Sequence, residues 1–359
     1  MIEEIQLKTT ERKTCRLCES SELQDILSLG TQYISNFVEK DEIKEGIQAP
    51  LDLVQCQSCS LLQLRHTAPQ ELLYARHYWY RSGVTKFMKN ALQDIVNSVE
   101  AVVNLKDRDC VLDLGANDGT LLACYSNKNL IRIGCEPAKN LIEQLHKNAE
   151  LVIDDFWTYE NFKELAKTHA FDKAKVITAI GMFYDMEDPN QFVQDAQKAL
   201  ASDGVFIAQL MCLKPMLDNN DLGNICHEHL EFYSLESLVY LFEKNGLEIF
   251  KLEENNVNGG SYRIFCRHAT GNRLPIKETI SQAEIHAFVA RVNANREKCL
   301  AFIKARVEEG KTVYVYGAST KGNVILQYYG LDSKLITAAA EKSPEKWGKY
   351  TIGTGIPII

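Results

Sequence analysis

The sequence predicts an α/β protein with a doubly wound parallel sheet, a small cysteine-containing module before it and a second α/β unit after it. Between residues 109 and 210, five short apolar runs alternate with stretches of helical periodicity, which is typical of a parallel sheet with crossover helices. Ahead of them, two cysteine pairs with equal spacing frame the first 66 residues. A chain of 359 residues is long enough for two or three domains.

The first element is a pair of cysteine hooks. Cys15 and Cys18 form one, and Cys56 and Cys59 form the other. Four thiolates in two tight hooks can close a tetrahedral zinc site, and metal binding can hold together a region too small to keep its own core. We predict a structural Zn²⁺ in a module over residues 1–66. The alternatives are ordinary buried cysteines or a labile disulfide.

The next elements belong to the central sheet. Residues 67–105 have helical spacing that is interrupted by the aromatic run His77–Gly83. Further on, Asp188 and Pro189 are typical of an N-cap and a first helical turn. Five strands, then a helix and two further strands, are predicted over Cys110–Leu114, Leu130–Cys135, Leu151–Asp154, Lys175–Ile180, Gly204–Leu210, Leu235–Asn245, 247–252 and 261–266.

A second α/β unit follows a long amphipathic stretch over about Lys277–Glu309. Its strand Thr312–Gly317 leads into a helix through Asn323–Tyr329 and a strand near Leu335–Ala339. We expect this unit to be incomplete, because the sequence stops at Ile359 as another strand begins. The predicted domains are a zinc-binding module over 1–66, a cofactor-binding domain over 67–270 and a Rossmann-like domain over 271–359.

Composition and charge argue against several classes of function. A net charge of −8 disfavours broad nucleic-acid binding, which needs a basic surface. No apolar run approaches the roughly 18 residues of a membrane span, and the N-terminus lacks a secretory pattern. The remaining cysteines are scattered, as expected of reduced thiols. We expect a cytoplasmic protein without a nucleic-acid or membrane partner. Its oligomeric state is left open, with a monomer as one alternative.

The loop after the first strand of the sheet carries residues suited to a ligand. In the run Asp113–Gly119, Gly115 and Gly119 flank Asn117. Glycines let a backbone turn tightly at the carboxyl end of a strand, where open α/β sheets bind ligands. The spacing differs from the glycine pattern of dinucleotide binders, and no phosphate-loop lysine follows.

Polar and aromatic residues follow the next two strands. Glu136 ends the second strand, where a carboxylate can accept hydrogen bonds from both hydroxyls of a ribose. Asp155, after the third strand, is placed to meet an adenine amine, with Phe156 or Trp157 against the ring face. Together with the glycine loop, these residues resemble the class I S-adenosylmethionine (SAM)-dependent methyltransferases. A sheet that binds NAD, or no ligand, is the alternative.

A Cys226-His-Glu-His229 segment follows the fifth strand. In an extended segment, His227 and His229 share one face and Glu228 takes the other. A histidine at the mouth of a SAM site can act as a general base, because its pKa lies near the operating pH. Methylation at carbon needs such a base, since a proton must first leave a position next to a carbonyl. The alternative is a solvated loop or a capping network before the Leu235 helix.

The whole arrangement resembles the sugar C-methyltransferases that act on nucleotide-linked 4-keto-6-deoxy sugars. The resemblance covers nearly the whole chain and includes both cysteine pairs, Tyr78-x-Tyr80-x-Ser82, the glycine loop, the His-Glu-His segment, Asn258–Arg263 and Tyr316–Asn323. It implies a class I methyltransferase fold, SAM as methyl donor and a nucleotide-linked sugar as substrate.

The resemblance also implies roles for individual residues. His229 is expected to remove the proton from sugar C3, with Glu228 and His227 beside it. Cofactor contacts are expected from Asp113, Gly115, Asn117, Gly119, Glu136, Asp155, Phe156, Tyr80 and Ser82. Substrate contacts are expected from Tyr78, Cys226, Asn258, Ser261, Arg263, Lys321 and Asn323, with Lys342 and Lys346 near the diphosphate.

Three departures from the family pattern leave other reactions open. Cys226 stands where the best-known members have tyrosine, and the run Gly181–Pro189 lacks a histidine that many of them have. The C-terminal unit is also shorter. The first two departures imply a different pattern of substrate hydrogen bonds, so O- or N-methylation of a sugar or small metabolite is the alternative. A zinc-stabilised binding module with a vestigial SAM fold and an RNA methyltransferase are the remaining classes.

Overall fold

The computed structural model describes residues 9–75, 78–275 and 278–359. The expectations at His77 and at Lys277 therefore lie outside the described residues, as do the first eight residues of the expected zinc module. Within the described ranges there are 17 strands and nine α-helices. None of the helices found there has both the length and the apolar composition that crossing a membrane requires.

Two long antiparallel strands dominate the N-terminal module. The module contains β1 (Thr10–Glu11), β2 (Leu23–Tyr33), β3 (Phe37–Val38), β4 (Gln48–Cys56), β5 (Leu62–Leu64) and β6 (His66–Thr67). β2 pairs with β4 from Leu23 opposite Cys56 to Tyr33 opposite Gln48. The second cysteine hook is the turn between β4 and β5, where the Cys56 N–H donates to the Leu61 carbonyl oxygen at 2.9 Å.

The elements that follow the module include the strands of the central sheet, the helices between them, and one short strand at Glu231–Phe232 that pairs with β5 of the module. They are α1 (Lys86–Glu100), β7 (Cys110–Leu114), α2 (Thr120–Ala123), β8 (Ile131–Cys135), α3 (Ile142–Asn148), β9 (Leu151–Ile153), α4 (Tyr159–His169), β10 (Ala174–Ile180), α5 (Pro189–Ala199), β11 (Leu200–Met211), α6 (Leu213–Asn219), β12 (Glu231–Phe232), α7 (Leu235–Lys244), β13 (Leu247–Asn255) and β14 (Ser261–His268). The predicted helix after Asp188 is confirmed, and the Asp188 side chain accepts from the Gln191 N–H as its N-cap. Within the described part of the expected helical stretch before the sheet, α1 is α-helical, and Glu71–Ala75 and Ser82–Val84 form short π and 3₁₀ turns.

Seven of these strands form the doubly wound sheet that the sequence predicts, in the order β13-β14-β11-β10-β7-β8-β9. β7 to β11 pair in parallel, and β14 runs antiparallel to both of its neighbours. A tight turn joins β13 to β14, which requires that pair to be antiparallel. The chain order reverses beside β7, so the carboxyl ends of β7 and β10 border the crevice in which such sheets bind ligands.

The C-terminal unit packs on the N-terminal module. It comprises α8 (Gln282–Glu308), β15 (Tyr314–Tyr316), α9 (Thr320–Tyr329), β16 (Ala338–Ala340) and β17 (Tyr350–Thr351). β15 and β16 pair in parallel, as expected of an α/β unit. β17 pairs with β3 of the module. The Gln327 side chain also bonds the backbone of Tyr33 in β2, accepting from its N–H at 2.9 Å and donating to its carbonyl at 3.0 Å.

A buried arginine joins the cysteine module to the central sheet. Arg16, inside the first cysteine hook, is only 1% exposed. Its guanidinium donates to the Leu64 carbonyl at 2.6 Å and to the Thr67 hydroxyl at 2.7 Å. It also lies 3.3 Å from a carboxylate oxygen of Glu187, in the loop after β10, and 3.7 Å from one of Glu231 in β12. One cation thus connects the module, the loop and β12.

Replacing this arginine should destabilise the protein strongly. Arg16→Leu leaves the Glu231 carboxylate buried without its cation, so we expect the free energy of unfolding to fall by about 3–5 kcal/mol. Arg12 pairs with the same Glu187 at 2.8 Å on a partly exposed surface, and Arg12→Leu should cost less than about 1 kcal/mol. Urea unfolding of the two variants measures the difference. Equal small losses would contradict a central role for Arg16.

Candidate active site

The four predicted metal ligands come together at the edge of the N-terminal module. Their sulfur atoms all lie within 4.8 Å of one another. The Sγ atoms of Cys15 and Cys59 are 3.5 Å apart, and those of Cys18 and Cys56 are 3.4 Å apart. A tetrahedral zinc with Zn–S bonds of about 2.3 Å needs sulfurs about 3.8 Å apart, whereas a disulfide needs about 2.05 Å. The four thiolates therefore fit a zinc ion, and the disulfide alternative does not hold.

A cavity of about 380 Å³, the donor cavity, lies at the carboxyl ends of β7, β8 and β10. Gly115 turns the chain there with φ +68, and a Cβ on it would lie 2.9 Å from Cγ of Met182 on the wall. The Glu136 carboxylate is 5% exposed and accepts the N–H groups of Asn117 and Ala138 at 2.8 Å each. The predicted residues that line this cavity are Tyr78, Tyr80, Ser82, Gly115, Asn117, Glu136, Phe156 and Trp157.

Asn117 attaches the aromatic segment to the rim of the donor cavity. Its side-chain carbonyl accepts the Ser82 N–H at 2.9 Å, and its amide donates to the Tyr80 carbonyl at 3.1 Å. Next to it, the Asp118 carboxylate accepts the Gly83 N–H at 2.7 Å. These bonds explain the Tyr-x-Tyr-x-Ser spacing, because the backbone of that segment is held down while its side chains face the cavity.

A second cavity, of about 690 Å³, lies between the N-terminal module and the C-terminal unit and is called the acceptor cavity here. Tyr78 and Tyr80 line both cavities, and Glu228 lines only this one. The wall of the acceptor cavity also includes Lys346, whose Nζ donates to the Ala318 carbonyl at 2.6 Å. The other polar residues on this wall include Ser319, Thr320 and Lys349.

The segment around the two histidines is a turn, so the expectation of an extended strand is wrong. The His229 N–H donates to the Cys226 carbonyl at 3.1 Å, and the two rings therefore diverge. The His227 Nε2 lies 3.0 Å from the Ala49 carbonyl oxygen in β4, so this ring faces the N-terminal module. Burial lowers the pKa of His227 to about 4. The structure gives His227 a packing position outside both cavities.

His229 lies one side chain away from the donor cavity. Its ring meets the edge of Tyr184 at 4.5 Å between centroids, and the Tyr184 hydroxyl donates to the Gly181 carbonyl of the cavity wall at 2.9 Å. The His229 Nδ1 lies 2.8 Å from the Asn224 carbonyl oxygen, which assigns the ring proton to Nδ1. Nε2 is then the free acceptor, the form that a general base needs.

The surroundings of His229 make it a neutral but weak base. Burial, with a smaller contribution from the Lys321 charge, lowers the pKa of His229 to about 3. The Lys321 ammonium donates to the Asn224 side chain at 2.7 Å and forms no salt bridge within the described ranges. A base of such low pKa accepts a carbon-bound proton only if the site also acidifies that proton.

Three predicted cofactor residues lie outside the donor cavity and have other partners. Asp113 accepts the Thr178 hydroxyl at 2.6 Å beneath the glycine loop, and burial raises the pKa of Asp113 to about 7. A Cβ at Gly119 would lie 2.7 Å from Cβ of Asn148, so this glycine serves helix packing. Asp155 is exposed and accepts the N–H of Phe156 at 2.7 Å.

The predicted substrate residues of the β13–β14 hairpin stabilise the hairpin and its packing on neighbouring elements. Arg263 is 3% exposed, and its guanidinium donates to the side chains of Gln209, Ser98, Glu253 and Asp94. The Ser261 hydroxyl donates to the Val257 carbonyl at 2.9 Å, and Asn258 occupies an exposed left-handed turn with φ 53.

The remaining predicted substrate residues line neither cavity. Cys226 is buried, and burial raises the pKa of its thiol well above the usual range. Asn323 is 1% exposed, and neither polar atom of its side chain has a partner in the described part of the chain. Lys342 is exposed and does not line the acceptor cavity.

Two residues at the junction of the cavities have no assigned role in the sequence analysis. The Tyr74 hydroxyl donates to the Glu228 carbonyl at 2.5 Å. Asp185 lines the donor cavity just beyond the carboxyl end of β10. That position is the signal that could have identified Asp185, because parallel sheets bind ligands at this edge.

Comparisons with known families place matches along almost the whole chain. A zinc binding domain matches residues 15–74, a methyltransferase domain matches 84–252, and a C-methyltransferase C-terminal domain matches 256–359. The chain is also similar to the C-methyltransferase NovU of Streptomyces niveus, with 28% identity over 358 residues that cover 96% of this chain and 84% of NovU. With the cysteine cluster, these matches confirm the zinc module and the class I fold.

Solved structures align with about half of the chain. One is the magnesium protoporphyrin IX methyltransferase of Synechocystis PCC 6803 with bound SAH, with a TM-score of 0.40, 10% identity, and coverage of 53% of this chain and 90% of that chain. Another is the mycolic acid cyclopropane synthase CmaA1, with a TM-score of 0.39, 15% identity, and coverage of 55% and 90%.

Removing one metal ligand should release the metal and loosen the module. We expect Cys56→Ser to lower the zinc content of the purified protein well below that of wild type and to lower its melting temperature, since metal binding supplies folding free energy there. Cys299→Ser, at a half-buried thiol on α8, should retain full zinc content. Plasma mass spectrometry and thermal melting measure both quantities. Undiminished zinc in Cys56→Ser would contradict the assigned ligand set.

Proposed function

We propose that this chain, a SAM-dependent methyltransferase with the domain composition of the C-methyltransferases, transfers a methyl group to carbon C3 of a nucleotide-linked 4-keto deoxy sugar. The matched C-methyltransferase domain supports carbon as the acceptor. The observation that carries the proposal is the position of His229, a neutral imidazole that packs on Tyr184 behind the wall of the donor cavity and directly follows Glu228 of the acceptor cavity. Carbon methylation requires a base there, whereas transfer to oxygen or nitrogen needs less of one.

The residues of the donor cavity fit SAM. The Glu136 oxygens each accept one backbone N–H and have further lone pairs for the two ribose hydroxyls. The Phe156 ring lines the same wall and suits an adenine face, and Gly115 leaves room for the chain of the donor. Bound SAM supplies an electrophilic methyl group on a sulfonium sulfur, with a neutral thioether as the leaving group.

The acceptor cavity suits a nucleoside diphosphate. Lys346 and Lys349 line it beside the first residues of α9, where Ser319 caps the helix. Unpaired N–H groups at a helix N-terminus and nearby ammonium groups attract phosphate. Lys321 adds a further cation, and its charge acts on both Glu228 and Asp185. We therefore place the diphosphate on this side, with the sugar directed toward Tyr78.

Deprotonation and orientation then account for the chemistry. The His229 Nε2 takes the proton from C3, the C–H electron pair forms a C3=C4 bond, and the carbonyl electrons move to the oxygen. The resulting enolate carbon accepts the methyl group. Tyr78 and Tyr80 line both cavities, so they limit the entry of water where the two substrates meet. Glu228 is positioned to orient the sugar from the acceptor side.

The three predicted units share this work in our proposal. Residues 1–66 form the zinc platform, 67–270 hold SAM and the base, and 271–359 bind the nucleotide. We place the reaction in the cytoplasm, because all eleven cysteines of the chain are unpaired and most of them are buried, as in proteins of a reducing compartment.

Removing the base should separate carbon methylation from the alternatives. With a thymidine diphosphate 4-keto-6-deoxy sugar and no SAM, wild type should exchange the C3 hydrogen with deuterium from solvent. His229→Ala should slow this exchange and methyl transfer by about 10²–10⁴-fold, the usual contribution of a general base, and should still bind SAM. Mass spectrometry and nuclear magnetic resonance follow the two rates.

His146→Ala, which removes an exposed histidine of α3, is the matched control and should keep both rates. If His229→Ala methylates at the wild-type rate, the proposed mechanism is wrong. Methylation without any C3 exchange in wild type would instead favour transfer to oxygen or nitrogen.

A further inference from the structure

Asp185 is a buried carboxyl group that the steps above do not use. It lines the donor cavity, is 7% exposed, and its Oδ1 has no hydrogen-bond partner within the described residues. Its backbone is held from two sides. The Gln70 side chain donates to the Asp185 carbonyl at 3.1 Å, and the Asp185 N–H donates to the Met182 carbonyl at 3.2 Å. The loop therefore holds this side chain at the cavity without giving it a partner.

The groups around Asp185 disfavour its charged form. Glu231 and Glu228 add negative charge, and Lys321 is the cation that opposes them, although it forms no salt bridge with Asp185 within the described ranges. The charge of Asp185 in turn acts on the neighbouring hydroxyls of Tyr74, Tyr78, Tyr184 and Tyr233 and on the thiol of Cys226. An ionised carboxylate buried without a partner is costly. Burial, reinforced by the two glutamates, raises the pKa of Asp185 well above its usual range.

We propose that Asp185 acts in its protonated form as a catalytic hydrogen-bond donor to the carbonyl oxygen of the methyl acceptor. This inference rests on the proposed function, because it requires a keto group next to the carbon that is methylated. This hydrogen bond from Asp185 would acidify the C3 proton, which a base as weak as His229 requires. As His229 takes the C3 proton, charge moves to the carbonyl oxygen, and the Asp185 O–H stabilises that oxygen without giving up its proton. A preorganised donor in a buried site can supply a large part of such a barrier reduction.

The loop geometry connects this donor to the base. The backbone N–H groups of Leu230 and Glu231 both donate to the Tyr184 carbonyl, at 2.8 and 3.1 Å, so the residue before Asp185 is bonded to the residues after His229. The base and the donor thus sit on two segments that are tied together at one point.

Two substitutions at Asp185 distinguish a role as hydrogen-bond donor from a role in packing. Asp185→Asn keeps a donor that cannot ionise, and Asp185→Leu keeps the branched side chain of four heavy atoms without a polar atom. We expect Asp185→Leu to slow C3 hydrogen exchange of the thymidine diphosphate 4-keto sugar by about 10²–10³-fold. Asp185→Asn should stay within about tenfold of wild type. Asp154→Asn, at an exposed carboxylate paired with Lys139, should match wild type.

The pH profile provides a signature that packing does not produce. In wild type the exchange rate should fall at high pH as Asp185 loses its proton, and Asp185→Asn should lack that fall. The infrared spectrum of the free enzyme at neutral pH should contain a protonated-carboxyl band that Asp185→Asn removes. This second measurement needs no substrate.

The outcomes distinguish this inference from the proposed function. If wild type exchanges and methylates but Asp185→Leu does so equally fast, or Asp185→Asn loses as much activity as Asp185→Leu, the donor role is wrong and the proposed function stands. An ionised Asp185 at neutral pH also overturns the donor role. If wild type catalyses no C3 exchange, the proposed function fails and the donor role fails with it.

Discussion

The rest of the structure depends on the hydrogen bonds and ion pairs of the buried Arg16 guanidinium. A buried cation needs opposite charge and hydrogen-bond acceptors around it. Arg16 has partners in three parts of the chain: its two terminal nitrogens bond the strands beside the cysteine hooks and Glu187 in the loop after β10, and its Nε lies 3.7 Å from Glu231 in β12. The zinc cluster in turn fixes the hook that carries Arg16. A zinc ion bound there therefore supports, through Arg16, the position of Glu187 on the wall of the donor cavity, without contacting a substrate.

The same junction determines where the reactive groups lie. Glu231 follows directly after the turn that holds His229 and Glu228, and Glu187 lies two residues after Asp185. Fixing the two glutamates on one cation brings the ends of both segments together, and the bonds from Leu230 and Glu231 to the Tyr184 carbonyl strengthen that link. The proposed base and the proposed hydrogen-bond donor thus lie on two segments that are joined at Tyr184.

Features with local or periodic causes could be predicted from the sequence. The strands of the sheet follow from apolar runs, the zinc cluster from two equal spacings, and Gly115 and Glu136 from their places at strand ends. Features with causes in tertiary packing could not. Gly119 serves a contact with Asn148, Arg263 is bonded within the hairpin and to α1, and the turn at His229 depends on bonds to Cys226 and Asn224. Arg16, between two cysteines, reads as a surface residue until its partners are known.

A crystal structure with S-adenosylhomocysteine and thymidine diphosphate tests the arrangement most directly. We expect the ribose hydroxyls on Glu136, the diphosphate beside Lys346 and the first turn of α9, and open space for a sugar between the sulfur atom and the His229 Nε2. A diphosphate bound away from the acceptor cavity, or a His229 ring screened from the sulfur by a closed protein wall, would contradict the assignment of the base and of the methylated carbon.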